Sequence, residues 1–274
     1  MDRRAEGADT ELRAARSERA PGHVRLGVPS NLPAELSTFV GRADDLERGA
    51  RLLGESRLAT FTGAGGCGKT RLARQVAMRV AKRFPGGVWW VELASLADGG
   101  LVTDRVARTL GLQTGETDAV ADYFGDGAAL LLLDNCEHIT EGVAEFVTAV
   151  LRGTGLLCVL TTSRHPLGVE GETTWRVPSL ALPPQAADPA TLDRFDAVRL
   201  FLERARQARS EITLTPAIAQ ICRRLDGIPL ALELAAARVG GVTIDRLVDE
   251  LDDRFRSLTG GSRAGRARHR TLLA

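Results

Sequence analysis

The sequence predicts an α/β domain followed by a small helical domain, and three observations carry that prediction. From about residue 31, short β-rich runs alternate with helical stretches, which is the arrangement of a parallel sheet flanked by helices. Two of these runs, ALLLLD and LLCVL, are apolar throughout, as expected of strands buried on both faces. Beyond a proline-rich stretch from Val177 to Thr191, apolar residues recur at three- and four-residue spacing, which predicts helices alone.

The expected elements follow in order along the chain. Strands are predicted in RLATFT, GVWWVEL, ALLLLD and LLCVLTTS, with helices from the end of the first strand through Arg83, at Leu101 to Leu110 and at Gly142 to Arg152. The later helices are predicted at Phe195 to Ala208, Pro216 to Leu225, Pro229 to Val239 and Ile244 to Arg254, which together indicate a small bundle. The expected domains are a flexible arm at 1–30, the sheet domain at 31–180 and the helical domain at 190–274.

Composition narrows the function classes. The chain has 274 residues, 44% of them hydrophobic and 26% charged, with a formal net charge of +1. So small a net charge does not favour nucleic acid or an anionic membrane as a partner. The charged N-terminus has no apolar signal core and no apolar run is long enough to span a bilayer, so we expect a cytoplasmic protein without a membrane partner.

The first motif with clear chemistry is GAGGCGKT, from Gly63 to Thr70, which fits the pattern GxxxxGK[ST]. It follows a predicted strand and opens a predicted helix, the context that a phosphate-binding P-loop requires. Glycines in the loop let backbone N–H groups point at phosphate oxygens; they are Gly63, Gly65, Gly66 and Gly68. Lys69 is expected to bridge the β- and γ-phosphates, and the Thr70 hydroxyl to ligate Mg²⁺.

Two later strands end in polar residues that suit the same chemistry. Asp134 follows the apolar run ALLLL, where a P-loop protein needs an acidic residue near the metal. The next strand ends in the cluster Thr161 to Arg164, and such a cluster at the carboxyl edge of a parallel sheet points into the ligand crevice. Arg164 is expected to reach the γ-phosphate and so distinguish ATP from ADP.

These motifs, in this order, resemble the STAND NTPases, specifically the NB-ARC-like ATPase module of bacterial multidomain transcriptional regulators. Besides the P-loop and the two polar strand ends, the likeness is carried by LPAELSTFVGRADDL at 32–46 and by CRRLDGIPLALELAAAR in the helical domain, so that it covers about residues 31 to 273. The resemblance implies an ATP- and ADP-binding switch that hydrolyses ATP slowly with Mg²⁺. It also implies self-assembly on activation, and DNA binding only through domains that this chain lacks.

The resemblance also implies further site residues. Val40, Gly41 and Arg42 would lie beside the adenine and ribose, and Pro229 of GIPL would pack on the adenine. Arg164 would act as the sensor of the γ-phosphate. Cys67 within the loop and Arg71 just after it complete the residues expected to contact the nucleotide.

The sequence departs from the family pattern in two places. Asn135 stands where many relatives carry a second acidic residue as the base for the attacking water, and an amide cannot accept that proton. Glu137 is the nearest replacement, so hydrolysis is expected either to be slow or to require an activated assembly. The resemblance also leads us to expect a winged helix after the helical domain, as in full-length relatives, where this sequence has RHRTLLA.

Two alternatives to the switch stay open at this point. A P-loop kinase acting on a small metabolite would need an arginine-rich lid close to the loop. A DNA-binding module would bind DNA through the basic C-terminal residues, which are Arg263, Arg266, Arg268, His269 and Arg270.

Overall fold

The structure is a computed structural model that describes residue 24 and residues 26–259, with the backbone alone for 254–259. It divides into two compact units. The sheet unit comprises the described residues up to Ser37, then Asp44–Gly63 and Lys69–Arg176. The helical unit comprises Thr38–Ala43, Ala64–Gly68 and the described chain from Val177 onward. Most of the expected N-terminal arm and the whole basic C-terminal stretch lie outside the described residues.

The sheet unit is built on five parallel strands in the order β2-β3-β4-β1-β5. The strands are β1 Leu58–Thr62, β2 Val88–Glu92, β3 Ala129–Asp134, β4 Leu157–Ser163 and β5 Glu172–Arg176. β3 and β4 are buried over almost their whole length, as their continuous apolar sequences predicted. The carboxyl ends of β1, β3 and β4 share one edge, since Thr62 pairs with Ser163 and Leu133 with Thr161.

Helices cover this sheet. They are α1 Ala43–Glu55, α2 Lys69–Val80, α3 Val102–Leu110, α4 Thr117–Phe124 and α5 Thr140–Gly153. α2 packs on the central strands β1, β3 and β4, while α3 packs on β2 and α5 on β4. The prediction of an α/β sheet flanked by helices is therefore confirmed.

The sequence prediction missed three elements of this unit, namely α1, α4 and β5. β5 has the sequence ETTWR, which carries no apolar run, and it lies at the edge of the sheet. Only Trp175 in it is buried, and its ring meets Phe61 of β1 edge to face at 5.0 Å between centroids. An edge strand needs one buried face at most, so its composition gives little warning of its presence.

Ordered contacts begin slightly before the predicted residue 31. Ser30 forms a parallel bridge with Val88. The Asn31 side chain donates to the carbonyl oxygen of Trp90 at 2.8 Å and accepts from the Trp90 N–H at 2.6 Å. Residues 29–31 thus satisfy backbone groups along the outer edge of β2. None of the helices that the structure describes is long and apolar enough to cross a membrane.

The helical unit contains α6 Asp196–Ala208, α7 Pro216–Arg224, α8 Pro229–Ala237 and α9 Ile244–Thr259. Residues 177–188 contain no helix or strand, and a 3₁₀ turn over Pro189–Arg194 leads into α6. The apolar faces of these helices form one core that also includes Val40. Buried Arg204 of α6 holds the segment around Val40, because its Nη2 donates to the Thr38 carbonyl at 2.9 Å and its Nε to Glu233 at 3.1 Å.

Candidate nucleotide-binding site

The loop from Gly63 to Gly68 joins the end of β1 to the start of α2, the position that the motif requires. Lys69 is the first residue of α2 and is 9% exposed. Its Nζ donates to the Gly63 carbonyl oxygen at 2.9 Å. The Lys69 side chain therefore turns back along the loop rather than out into solvent.

Two hydroxyl groups meet on the carboxylate that ends β3. Thr70 Oγ1 donates to Asp134 Oδ1 at 2.7 Å, and Thr162 Oγ1 of β4 donates to the same oxygen at 2.5 Å. Thr162 also accepts from the backbone N–H of Asn135 at 2.9 Å. Asp134 and Thr162 are both buried. The carboxylate is thus fixed by the helix after the loop and by the neighbouring strand.

This arrangement fits Mg²⁺ that arrives with a nucleotide. Among the described residues, no three His, Cys, Asp or Glu side chains are placed to hold a metal by themselves. Thr70 and Asp134 instead offer one hydroxyl and one carboxylate oxygen, which are the hard ligands that Mg²⁺ prefers. Such a pair leaves most of the coordination sphere to phosphate oxygens and water.

Arg164 and Glu137, predicted as sensor and replacement base, lie against each other. Arg164 Nε donates to Glu137 Oε1 at 3.3 Å, with the two side chains 43% and 19% exposed. The other carboxylate oxygen of Glu137 is buried and has no hydrogen-bond partner in the described structure. Asn135 has a left-handed backbone with a φ of 65°, which turns the chain sharply between Asp134 and Glu137.

Two cysteines lie among these residues. Burial raises the pKa of the Cys136 thiol well above its ordinary range, and the nearby carboxylates of Asp134 and Glu137 raise it further. Its Sγ donates to the Leu133 carbonyl at 3.4 Å. Cys67, within the loop, is also a buried free thiol. Both cysteines therefore contribute as small packed side chains.

In the helical unit, Arg42 lies beside the loop. Its Nη2 donates to the Cys67 carbonyl oxygen at 2.7 Å and to the Pro178 carbonyl oxygen at 3.0 Å. Its backbone N–H donates to Asp196 Oδ2 at 2.8 Å. Gly41 and Arg42 are both left-handed, with φ values of 69° and 60°, and a Cβ on Gly41 would collide with the Asp196 carboxylate. Only glycine suits that position.

The start of α8 also contacts the loop. The Leu230 N–H donates to the Gly66 carbonyl oxygen at 3.2 Å. Pro229, the first residue of α8, lies near Gly68, since a Cβ built on Gly68 would be 3.7 Å from Pro229 Cγ. Arg42 and Pro229 thus approach the same part of the loop. Val40 belongs to the core of the helical unit.

Arg71 is engaged by the chain before Thr38. Its Nε donates to Glu35 Oε2 at 3.0 Å, and its Nη2 donates to the Ser37 hydroxyl at 3.0 Å and to the Ser37 carbonyl oxygen. These contacts anchor residues 35–37 to α2.

Three contributors were missed or undervalued by sequence reasoning. Thr162 belonged to a polar cluster that the sequence did indicate, but its bond to Asp134 could not be read from the pattern. Asp196 looks like an ordinary acidic residue in the first turn of a helix. The Leu230 N–H is a backbone group, and no side-chain pattern reports it.

Comparison with known proteins gives a family and a fold. Residues 46–162 match the NB-ARC domain. An uncharacterized protein of Mycobacterium tuberculosis is 38% identical over 257 residues, covering 91% of this chain and 63% of the relative. A putative HTH-type transcriptional regulator of the same organism is 41% identical over 231 residues, covering 81% of this chain and 25% of the relative. The chain therefore spans less than two thirds of either relative.

Among solved structures, Drosophila ORC bound to DNA is similar in fold. It has a TM-score of 0.53 and 16% identity, covering 79% of this chain and 66% of that chain. The loop between β1 and α2 and the acidic end of β3 lie on one parallel sheet within the matched residues, so residues 46–162 are an NB-ARC domain with the P-loop NTPase fold.

Proposed function

We propose that this chain is an ATP- and ADP-binding switch with slow, Mg²⁺-dependent ATP hydrolysis. The observation that carries the proposal is that the hydroxyl groups of Thr70 and Thr162 both donate to the Asp134 carboxylate. Thr70 is the residue directly after Lys69 in α2. A hydroxyl and a carboxylate at this point of a P-loop fold suit a metal that accompanies phosphate. The Lys69 ammonium, which donates to the Gly63 carbonyl oxygen, supplies a charged donor for the β- and γ-phosphates.

The residues around Asp134 support slow rather than fast hydrolysis. Asn135 cannot accept a proton, and its left-handed turn leads to Glu137, the next carboxylate along the chain. One oxygen of Glu137 is paired with Arg164, and the other is buried without a partner, so it retains the capacity to accept a proton from water. We propose Glu137 as the weak general base.

Arg164 is proposed to report the γ-phosphate. Its ion pair with Glu137 joins a half-exposed side chain to a partly buried one, and such pairs contribute only about 0–1 kcal/mol. A weak pair lets the guanidinium exchange a carboxylate for a phosphate at low cost. ATP, which has the γ-phosphate, and ADP, which lacks it, then favour different conformations of the chain.

The switch needs differential binding of a definite size. Reversing a 1:99 equilibrium takes about 5.5 kcal/mol of difference between the two conformations. The proposed source of that difference is the set of contacts that only the γ-phosphate makes, from Lys69, Arg164 and Mg²⁺.

The biological setting is proposed from the relatives. One of them is named as a putative HTH-type transcriptional regulator, and this chain matches a quarter of it. We propose that the chain is the nucleotide-binding core of a signal-responsive regulator, that it self-assembles on activation, and that DNA binding resides in other domains.

The test begins with protein purified without added nucleotide and then denatured, so that any released nucleotide is identified by chromatography. Calorimetric titration with MgATP and MgADP follows, and then single-turnover hydrolysis. We expect tight binding of both nucleotides and hydrolysis slower than about 1 s⁻¹, the low end for enzymes. A protein that binds neither nucleotide, or one that transfers the γ-phosphoryl group to a small acceptor, would refute the proposal.

A further inference from the structure

The loop that is proposed to bind phosphate is held from outside by its carbonyl groups. The Gly66 carbonyl accepts from the Leu230 N–H at 3.2 Å, and the Cys67 carbonyl accepts from Arg42 Nη2 at 2.7 Å. Both donors belong to the helical unit, as do the two loop residues. Two successive peptide groups of the loop are therefore bonded on their carbonyl side.

The bond from Leu230 has a reason in the local structure of α8. The first N–H groups of a helix have no partner within the helix and need a cap. α8 has no side-chain cap: Ile228 precedes it and Pro229 is its first residue. The Gly66 carbonyl supplies an acceptor in place of a capping side chain, so the start of α8 and the loop stabilise each other.

Arg42 is fixed by contacts of its own, so it can hold the Cys67 carbonyl in one orientation. It is 5% exposed, and the Pro178 carbonyl accepts a second bond from the same Nη2. The Asp196 carboxylate accepts a hydrogen bond from the Arg42 backbone N–H and so stabilises the left-handed turn at Gly41 and Arg42. A buried guanidinium with fixed partners on both sides is a poor candidate for a contact that must form anew with each ligand.

The geometry of the peptide bond gives these contacts a consequence. In a trans peptide the carbonyl of one residue and the N–H of the next point in opposite directions. Fixing the Gly66 carbonyl therefore turns the Cys67 N–H to the other side, where it makes only a long bond to the Ala64 carbonyl oxygen at 3.4 Å. Fixing the Cys67 carbonyl likewise turns the Gly68 N–H away from Arg42. Inward N–H groups are what a P-loop uses to bind phosphate.

We propose that Arg42 is a positioning residue that orients the phosphate-binding N–H groups of the loop through the Cys67 carbonyl, together with the first turn of α8 acting through Gly66. The ligand class is the di- and triphosphate of a nucleotide, and the inference rests on the proposed ATP and ADP binding. Arg42 contributes to phosphate affinity without touching the phosphates and without selecting the base.

The experiment compares Arg42→Met with the unmodified chain. Methionine keeps much of the buried volume and removes the guanidinium that donates to the Cys67 and Pro178 carbonyl oxygens. Dissociation constants are measured by calorimetry for MgADP, MgGDP and MgATP. We expect Arg42→Met to weaken all three by about 10- to 100-fold, the effect of leaving a buried carbonyl without its charged donor, and to leave the ratio of ADP to GDP affinity unchanged.

A matched control and a rescue variant separate positioning from folding. Arg199→Met removes another arginine of the helical unit, one that pairs with Asp196 at 3.6 Å, and we expect its affinities to match those of the unmodified chain. Arg42→Lys retains a charge and one donor group, and we expect it to recover part of the lost affinity. Thermal unfolding of each variant shows whether the fold is intact. If Arg42→Met is unstable, Arg42→Lys is compared with the unmodified chain instead.

The outcomes separate this inference from the proposed function. If the unmodified chain binds no nucleotide, the proposed function fails. If it binds ATP and ADP while Arg42→Met binds them equally well, this inference alone is overturned. If Arg42→Met changes the ratio of ADP to GDP affinity, Arg42 contacts the base and the positioning role is wrong.

Discussion

The phosphate loop is held by two kinds of contact, and we name its parts after them. The side-chain end is the junction with α2, and the carbonyl end is Gly66 and Cys67. At the α2 end the contacts come from side chains: the Lys69 ammonium donates to the Gly63 carbonyl oxygen, and the Thr70 hydroxyl donates to the Asp134 carboxylate. In the middle, backbone carbonyls of Gly66 and Cys67 accept from Leu230 and Arg42. The sequence motif specifies the side-chain end, because only certain residue types carry an ammonium or a hydroxyl group. The carbonyl end could be built with almost any side chains, so what matters there is the close approach of backbone.

The largest effect is expected at the side-chain end, with Lys69→Ala. A hydrogen bond to a charged group contributes about 1.5–3 kcal/mol, so losing two such bonds to phosphate predicts at least about 100-fold weaker ATP binding. Calorimetric titration measures it. Lys82→Ala is the control, since Lys82 is the other lysine of the chain and is exposed. Normal ATP binding by Lys69→Ala would remove this loop from the nucleotide site.

The carbonyl end is tested next by Gly66→Ala. Gly66 has a φ of 76°, and a Cβ there would lie 3.0 Å from Leu230 Cβ, so alanine must push α8 away from the loop. Gly168→Ala is a matched control, because Gly168 has a φ of 77° with open space around it.

Both substitutions place a Cβ on a residue with left-handed backbone, which should lower the free energy of unfolding by about 1–2 kcal/mol. Only Gly66→Ala should also weaken MgADP binding, by about tenfold. Equal ADP affinities for the two variants would show that the approach of Leu230 to the loop does not matter for binding.

A smaller effect is expected from Thr162→Val, which acts on the side-chain end from the neighbouring strand. It removes the donor to Asp134 and leaves the Asn135 N–H without its acceptor, so we expect about 1–3 kcal/mol lower stability toward urea. Affinity for MgATP should fall by about fivefold, and less without Mg²⁺. Thr148→Val removes a helical hydroxyl on α5 and should leave affinity unchanged. An effect of Thr162→Val that is independent of Mg²⁺ would speak against a metal at Asp134.

The smallest effect on affinity is expected from Glu137→Gln, which leaves both ends of the loop intact. Loss of the partly exposed pair with Arg164 should change ATP affinity by less than about threefold. Single-turnover hydrolysis should slow by about 100-fold, the usual contribution of a general base. A hydrolysis rate equal to that of the unmodified chain would exclude Glu137 as the base. Glu145→Gln, on the exposed surface of α5, is the control.

Prediction from the sequence succeeded where a signal was local and chemical. The continuous apolar runs of β3 and β4 predicted buried parallel strands, and the loop motif fell between β1 and α2 as expected. It failed for β5, whose polar edge sequence resembles a loop. Arg164 and Glu137 were each chosen for their own chemistry, and their pairing across 27 residues was not foreseen.

By itself, the sequence determined the order of strands β1 to β4, the helices of the second unit, the phosphate loop and the acidic end of β3, because each depends on residue types at fixed spacing. Only the tertiary structure decided which backbone groups hold the loop. The Arg42 guanidinium meets a carbonyl 25 residues away, and the Arg42 N–H meets a carboxylate 154 residues away. Such contacts depend on how distant segments approach one another, and a carbonyl oxygen is the same in every residue.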